Sequence, residues 1–296
     1  MRNIALLLGP MRVPFLLLTP ACVLLGFGTA VWTSGHVDIF YLTIVFIGAI
    51  SAHISVNAFN EYYDFKSGLD FWTERTPFSG GSGTLPSNPS QARSTFYTAW
   101  TSFTITFVVG IYFLVIRGPA LLPFGVLGLF IILVYTTWFT YNPFLCLIAP
   151  GLGFGPLMVM GVHFVLTGEY SGTAFFASLV PFFLVNNLLL LNQFPDVAAD
   201  RSIGRKHFPI VAGRKISSFI YGAFFLGAYA SIVCGVSLDY LPKSSLIGLA
   251  TVVLAIPAFV GTYRYAESIA KLIPFMGLNV IINILTPVLL TVGLLI

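Results

Sequence analysis

Two short stretches of this sequence collect residues that can hold a metal ion against a phosphate. The first, 57–70, contains Asn57, Asn60, Glu61, Asp64 and Asp70; the second, 192–200, contains Asn192, Asp196 and Asp200. Asn60 and Asp64 stand four residues apart, and so do Asn192, Asp196 and Asp200 in turn. On a helix that interval stacks side chains on one face. Like charges stacked in this way repel, and a bound cation removes the penalty. Carboxylate and carboxamide oxygens, with no Cys or His beside them, select a hard ion. Mg²⁺ suits them, because it bridges a few carboxylates to phosphate oxygens and retains waters. The two stretches are therefore expected to face each other and hold a divalent metal against a diphosphate.

Basic residues follow both stretches: Arg75 after the first, Arg205 and Lys206 after the second. They have the charge to neutralise a departing diphosphate. The loop 74–90 includes Gly80, Gly81 and Gly83, whose backbone N–H groups can meet phosphate oxygens. It lacks Walker spacing, which argues against an ATP site. The four histidines, His36, His53, His163 and His207, are scattered without an i, i+4 pair, so a zinc site is not expected. His53 lies one turn before Asn57 and reads mainly as a packing residue. Cys22, Cys146 and Cys234 lie in or beside apolar runs without CxxC spacing, which implies small apolar filler and no disulfide framework.

The elements that must position these groups are membrane spans. Of 296 residues 57% are hydrophobic and 8% charged. A soluble domain has about 25% charged residues, so the deficit decides the class: an all-α, polytopic membrane protein. Apolar runs near twenty residues long exclude a strand barrel. Nine spans are expected, at 12–33, 39–61, 94–116, 120–140, 144–166, 173–194, 216–236, 244–263 and 273–295. Met1 to Pro10 is not expected to be a cleavable signal, because Leu6 to Leu8 is too short an h-region and no small-residue cleavage site precedes the long run from Val13, which reads as the first span. The second and sixth spans are followed by the two long connections, 62–93 and 195–215. The whole chain, 1–296, reads as one domain of two four-helix pseudo-repeats, about 12–140 and 144–263, plus a ninth helix.

Charge placement fixes a sidedness. With a cytoplasmic N-terminus, Arg2, Arg12, Lys66, Arg75, Arg93, Arg201, Arg205, Lys206, Arg214, Lys215, Arg264 and Lys271 share the cytoplasmic side. Of the 14 basic residues only Arg117 and Lys243 fall outside. Both acidic stretches then lie at the cytoplasmic face of an integral membrane protein. An Asp at mid-membrane costs about 2.5–3.5 kcal/mol on insertion scales, so these carboxylates belong at the interface or in a protein-lined cavity.

The paired stretches at the ends of the second and sixth spans resemble the motifs of the UbiA superfamily of intramembrane prenyltransferases. Asn192-x-x-x-Asp196-x-x-x-Asp200 followed by Gly204-Arg205-Lys206 is similar to the family's second motif. In the first motif Gly68 replaces the family's usual third acid, and the acid comes at Asp70. That form is similar to the menaquinone branch, the 1,4-dihydroxy-2-naphthoate polyprenyltransferases. Glu61 and the 76–79 loop depart from that branch's pattern.

The resemblance implies helices around a central cavity, capped on the cytoplasmic side and open sideways to lipid. It implies Mg²⁺ held by Asn60, Asp64, Asp70, Asn192, Asp196 and Asp200. Catalytic roles fall to Asp64, Asp196, Arg75 and Lys206. Asn57, Asn60, Arg75, Asn192, Arg205, Lys206 and Tyr135 would bind substrate. Tyr62, Tyr63, Phe65, Tyr135 and Tyr141 are candidates to line the cavity and stabilise carbocation character. The implied partners are a polyprenyl diphosphate, an aromatic acceptor and membrane lipid, with no nucleic acid and no obligate protein partner. Prenylation of another quinone precursor, a haem- or chlorophyll-type ring or a lipid glycerol fits the same residues. A transporter shares intramembrane acids and repeats, but its site would lie near the bilayer midplane in interrupted helices.

Overall fold

The structure is a computed structural model that describes residues 6 and 8–296. Arg2, and with it most of the segment read as lacking a cleavable signal, lies outside the described residues. The long helices are α1 (Leu18–Ser34), α2 (Ile39–Lys66), α3 (Ala92–Arg117), α4 (Leu122–Val134), α5 (Pro143–Thr167), α6 (Gly172–Ser202), α7 (Arg214–Ser237), α8 (Val252–Tyr265) and α9 (Ile269–Leu295). Short 3₁₀ turns lead into α1 and α8. Among the described residues the secondary structure is entirely helical.

Counted with the 3₁₀ turns that lead into α1 and α8, eight of these segments are long and apolar enough to cross a membrane, the first running Gly9–Ser34 and the one that ends in α8 running Lys243–Tyr265. The segment expected over 120–140 forms the shorter run Pro119–Val134. Gly118, at φ +85°, and Pro119 set its start. At its other end the chain turns through Phe139–Tyr141 before Asn142 caps α5 by accepting from the Phe144 and Leu145 N–H groups. A helix that short rises about 24 Å, against about 30 Å of hydrocarbon.

Successive helices are neighbours around a ring, and α9 closes it against α1. The two sides of the ring differ. α6 is the most buried helix, and its Val180, Leu184, Leu191 and Phe194 centre the main core with side chains from α7, α8 and α9. α2 packs chiefly on α3, and both leave an open bay toward α1, α5 and residues 188–192 of α6.

Local sequence explains two irregularities that shape the bay. Residues Gly153–Met160 of α5 are π-helical. Pro150 and Pro156 each lack an N–H and crowd the preceding turn, so the regular ladder cannot continue. Asn186 of α6 accepts the Gly151 N–H at 2.6 Å, satisfying backbone beside this disturbed region. Within α6, Pro195 sits between Asn192 and Asp196 and removes the bond to the Leu191 carbonyl.

Candidate active site

Each acidic stretch ends its helix in the same way. α2 stops at Lys66, and Gly68 adopts φ +81°; α6 stops at Ser202, and Gly204 adopts φ +82°. A side chain there would force the left-handed region on an L-residue, which glycine enters freely. Past Gly68 the turn Leu69–Phe71 brings Asp70 back, buried, beneath the end of α2. Past Gly204 the Arg205 N–H donates to the Asp200 carbonyl at 3.1 Å. Counted from these glycines, Asp64 and Asp200 occupy equivalent positions, four residues before each.

Arg205 joins the two ends. Its guanidinium donates to Asp200 Oδ1 at 2.8 Å and to Asp64 Oδ1. His207 Nε2 lies 2.9 Å from Asp200 Oδ2. All four side chains are buried. Burial alone would make Arg205 easier to deprotonate, but Asp64 and Asp200 outweigh it and hold the guanidinium more firmly charged than usual. Asp70 behaves oppositely. Burial and repulsion from Asp64 and Glu61, opposed by Arg12 and Arg205, push its carboxyl up to about 7.

A second ion pair lies beside the first. Arg12 Nε donates to Glu61 Oε1 at 2.7 Å, and another guanidinium nitrogen donates to Asn60 Oδ1 at 2.9 Å. Arg12 holds φ +52°, rare outside glycine, at the joint between the two 3₁₀ turns that precede α1. The Ser82 N–H and hydroxyl donate to the two Glu61 oxygens at 2.7 and 2.8 Å. Loop 74–90 is thereby tied down over the acids. Gly81, at φ +73°, also lies close: a Cβ there would stand 3.2 Å from Asp70 Oδ1 and 3.3 Å from Glu61 Oε1.

The other sequence-derived candidates are distributed as follows. Asn57 donates to the Met11 carbonyl at 3.0 Å. Asn60 donates to Thr136 Oγ1 at 3.3 Å. Asn192 lines the bay, and Asp196 is within electrostatic range of Asp200, Arg12, Arg205 and Asp64. Arg75 and Lys206 are exposed. Arg75 lies across the loop against Gly83, where a Cβ would overlap its guanidinium. Lys206 uses its backbone N–H on the Thr140 carbonyl at 3.0 Å. Of the five aromatic candidates Tyr135 lines the bay, while Tyr62, Tyr63 and Phe65 pair with other rings and Tyr141 is exposed.

Sequence reasoning missed Arg12 and His207 as members of this cluster and did not foresee Ser82 as the clasp. Arg12 was visible only as one more inward-facing charge. Its position between Pro10 and Pro14, at the start of the first span, was the available signal.

Below the acids the bay forms a cavity of about 350 Å³. Its polar end carries Arg12, Asn57, Asn60, Tyr135 and Asn192; its far end is walled by Val45, Phe113, Leu121, Phe124 and Val165. Val45 and Asn60 are both on α2, about 22 Å apart by helical rise. His53 is on the wall between them, with Nδ1 2.8 Å from Thr19 Oγ1 and its ring edge-on to Phe154 at 4.8 Å. A second cavity of about 400 Å³ lies between the first turns of the chain and residues 76–82. Arg12, Phe15 and Phe78 stand between the two cavities and line both.

The donor set fits a hard divalent cation in kind: carboxylate and carboxamide oxygens gathered at one end of a greasy chamber. Two carboxylate oxygens there, Asp70 Oδ2 and Asp196 Oδ1, are buried without a hydrogen-bond partner. Such atoms are costly unless something satisfies them. The acids do not stand as a closed cage: among the described residues no three acidic, His or Cys groups converge as metal ligands.

Comparison with known proteins agrees with this architecture. The chain is 28% identical over 200 residues to the 1,4-dihydroxy-2-naphthoate octaprenyltransferase of Bacillus subtilis (strain 168), covering 67% of this chain and 63% of that protein. The match thus spans less than two thirds of the relative's length. The apo structure of a UbiA homologue from Aeropyrum pernix K1 is similar with a TM-score of 0.72 at 17% identity, over 94% of this chain and 96% of the other. A structure described for digeranylgeranylglyceryl phosphate synthase gives a TM-score of 0.66 at 18% identity over 99% of both chains. At those identities the two structures show a shared fold. The model of the UbiA prenyltransferase family matches residues 19–281, and with it the chain belongs to that family.

Proposed function

We propose that this protein transfers a polyprenyl group from a prenyl diphosphate to an aromatic acceptor, in a quinone pathway of the menaquinone type. The observation that carries the reading is the meeting of Asp64 and Asp200 through Arg205 at the polar end of a long apolar cavity. A diphosphate needs dense positive charge and hard-ion ligands; its tail needs a dry, elongated chamber. The similarity to a 1,4-dihydroxy-2-naphthoate octaprenyltransferase supports the aromatic acceptor.

Asn60, Asp64, Asp70, Asn192, Asp196 and Asp200 are the residues that would hold Mg²⁺, and Asp70 and Asp196 offer oxygens with no protein partner. When bound, the ion supplies Lewis-acid stabilisation of diphosphate charge. Arg205 keeps the two helix ends together. Arg75 and Lys206, on the exposed loops, reach for the diphosphate from outside. The allylic C–O bond breaks and its electron pair leaves with the diphosphate. Tyr135 offers an aromatic face to the cationic carbon. A ring carbon of the acceptor then bonds to it and loses its proton. The clasped loop excludes water that would otherwise capture the cation. We place this end at the cytoplasmic face because the basic residues gather there.

The test is diphosphate release by purified protein given octaprenyl diphosphate and Mg²⁺, with 1,4-dihydroxy-2-naphthoate or a glycerol phosphate lipid as acceptor. Prenylated naphthoate product, abolished by chelator, is expected. Product only from the glycerol lipid would move the acceptor class, and release with neither acceptor would end the reading.

A further inference from the structure

The turn that carries Asp70 has two unlike sides. Leu69 and Asp70 point inward and are buried, whereas the next two residues, Phe71 and Trp72, are 58% and 81% exposed. No other aromatic side chain among the described residues is as exposed as Trp72. The backbone between them is closed. The Phe71 N–H donates to the Gly68 carbonyl at 3.2 Å, and the Trp72 N–H donates to the Leu69 carbonyl at 2.9 Å. The outward pair is thus presented on an ordered turn, and two large adjacent apolar side chains left bare call for a partner.

The neighbouring helices identify that partner. α2 and α3 are the least buried of the eight long apolar segments. At their acid-bearing ends their rings meet: Phe59 and Trp100 at 5.4 Å, then Tyr62 and Phe96 at 4.8 Å. One turn farther out on each helix stands an exposed cation. Lys66 Nζ is 5.7 Å from the centre of the Tyr62 ring, and the Arg93 guanidinium is 5.6 Å from that of Tyr97. Rings followed by long cationic side chains are the order in which a helix passes from hydrocarbon into headgroups. Phe71 returns to this level, because its ring lies 5.6 Å from that of Phe65 on the last turn of α2. Farther along the loop Glu74 and Arg75, both exposed, offset each other in charge.

We infer that the turn Leu69–Trp72 is a membrane-interface anchor. Phe71 and Trp72 insert among phospholipid headgroups on the acid-bearing side, and Lys66 and Arg93 give that contact a preference for anionic lipid. Since Leu69 and Asp70 form the buried side of the same turn, the bilayer surface helps to fix where Asp70 stands. The anchor goes beyond the prenyl-transfer reading and does not depend on it.

The test uses the full-length protein in vesicles of phosphatidylcholine, alone or with an equal share of phosphatidylglycerol. Subtracting the fluorescence of Trp72→Phe from that of the wild type isolates Trp72 from Trp32, Trp100 and Trp138. Lipid brominated close to the headgroup is expected to quench the Trp72 signal. Acrylamide, a neutral quencher in water, should reach it less when phosphatidylglycerol is present. Lys66→Gln combined with Arg93→Gln should abolish the difference between the two lipids and keep the bromine quenching; Arg93→Gln alone, which should shrink that difference, replaces the pair if it fails to fold. A Trp72 signal open to acrylamide and blind to bromine would put the turn in water and overturn the anchor. A signal shielded from both would mean that protein covers the turn, which overturns it as well. Equal acrylamide access in the two lipids would overturn the anionic preference. The hold on Asp70 is read by hydrogen exchange in the same vesicles: the Phe71 and Trp72 amides should exchange faster in Trp72→Ser than in the wild type, and unchanged exchange would overturn that link.

Discussion

The ends of α2 and α6 use the same residues in different ways. Asp200, at the end of α6, is satisfied by its own neighbourhood: Arg205 and His207 lie five and seven residues on. The α2 end is satisfied from afar. Asp64 depends on Arg205, 141 residues away, and Glu61 on Arg12 and Ser82, 49 and 21 residues away. One end is a self-contained turn; the other is assembled by the fold. What neither satisfies is one oxygen each of Asp70 and Asp196. The ion-paired acids therefore also hold the helix ends in place, whereas Asp70 and Asp196 each keep a buried oxygen without a protein partner.

The largest effect should come from removing the shared cation. Arg205→Met leaves two buried carboxylates facing each other, and breaking a buried ion pair from one side costs about 3–5 kcal/mol. We expect a fall in melting temperature in detergent together with loss of diphosphate release. Arg205→Lys retains charge but loses the two-pronged geometry, and should recover stability only in part. A stable Arg205→Met protein would mean that the two ends are held together by packing alone.

Next in size is the contrast between an unpaired and a paired acid. Asp196→Asn should lower turnover by about 10²–10³, as loss of preorganised charge at a transition state does elsewhere, with little change in melting. Asp200→Asn should lower both, because it also releases Arg205 and His207. Equal melting of the two variants would erase the distinction between the ion-paired acids and the others.

Much of this was legible in the sequence, for identifiable reasons. Long apolar runs are local signals, and they gave the spans apart from the shortened α4. The four-residue spacing in 57–70 and 192–200 is also local, as are Gly68 and Gly204. Arg205 as the bridge and Arg12 as the partner of Glu61 were not legible, since contacts between distant parts of a chain leave no periodic trace. The surroundings of glycines were not legible either. At Gly151 and Gly153, two residues apart on one helix, a Cβ would meet a carbonyl in one case and nothing within 4 Å in the other. Sequence reports that both lack a side chain and says nothing about what fills the space.

A smaller effect concerns Asp70. Its folded value of about 7 lies above the ordinary 3.8, so the folded protein holds that proton more tightly than the unfolded chain. The stability tied to the proton is complete below about 3.8 and is lost as the pH rises through about 7. With chelator present, melting of the wild type should therefore decline between pH 5 and 8 more steeply than that of Asp70→Asn. Parallel curves would remove Asp70 from the set of strained, unpaired acids.

The smallest effect tests whether the α2 end depends on its loop. Ser82 contributes two contacts to Glu61, one from its backbone and one from its hydroxyl. Ser82→Ala removes the second and leaves the first, along with the Arg12 pair. A single hydrogen bond to a charged group is worth about 1.5–3 kcal/mol at most, and the surviving partners reduce what is lost. Global melting should shift by only a few degrees. The loop reads the change more directly: its backbone amides near Gly81 should exchange hydrogen faster, while amides at the end of α6 stay unchanged. That asymmetry follows from α6 being satisfied by residues of its own turn. Faster exchange at both ends would show that the loop clasps the whole cluster, so that the α6 end is as dependent on distant contacts as the α2 end.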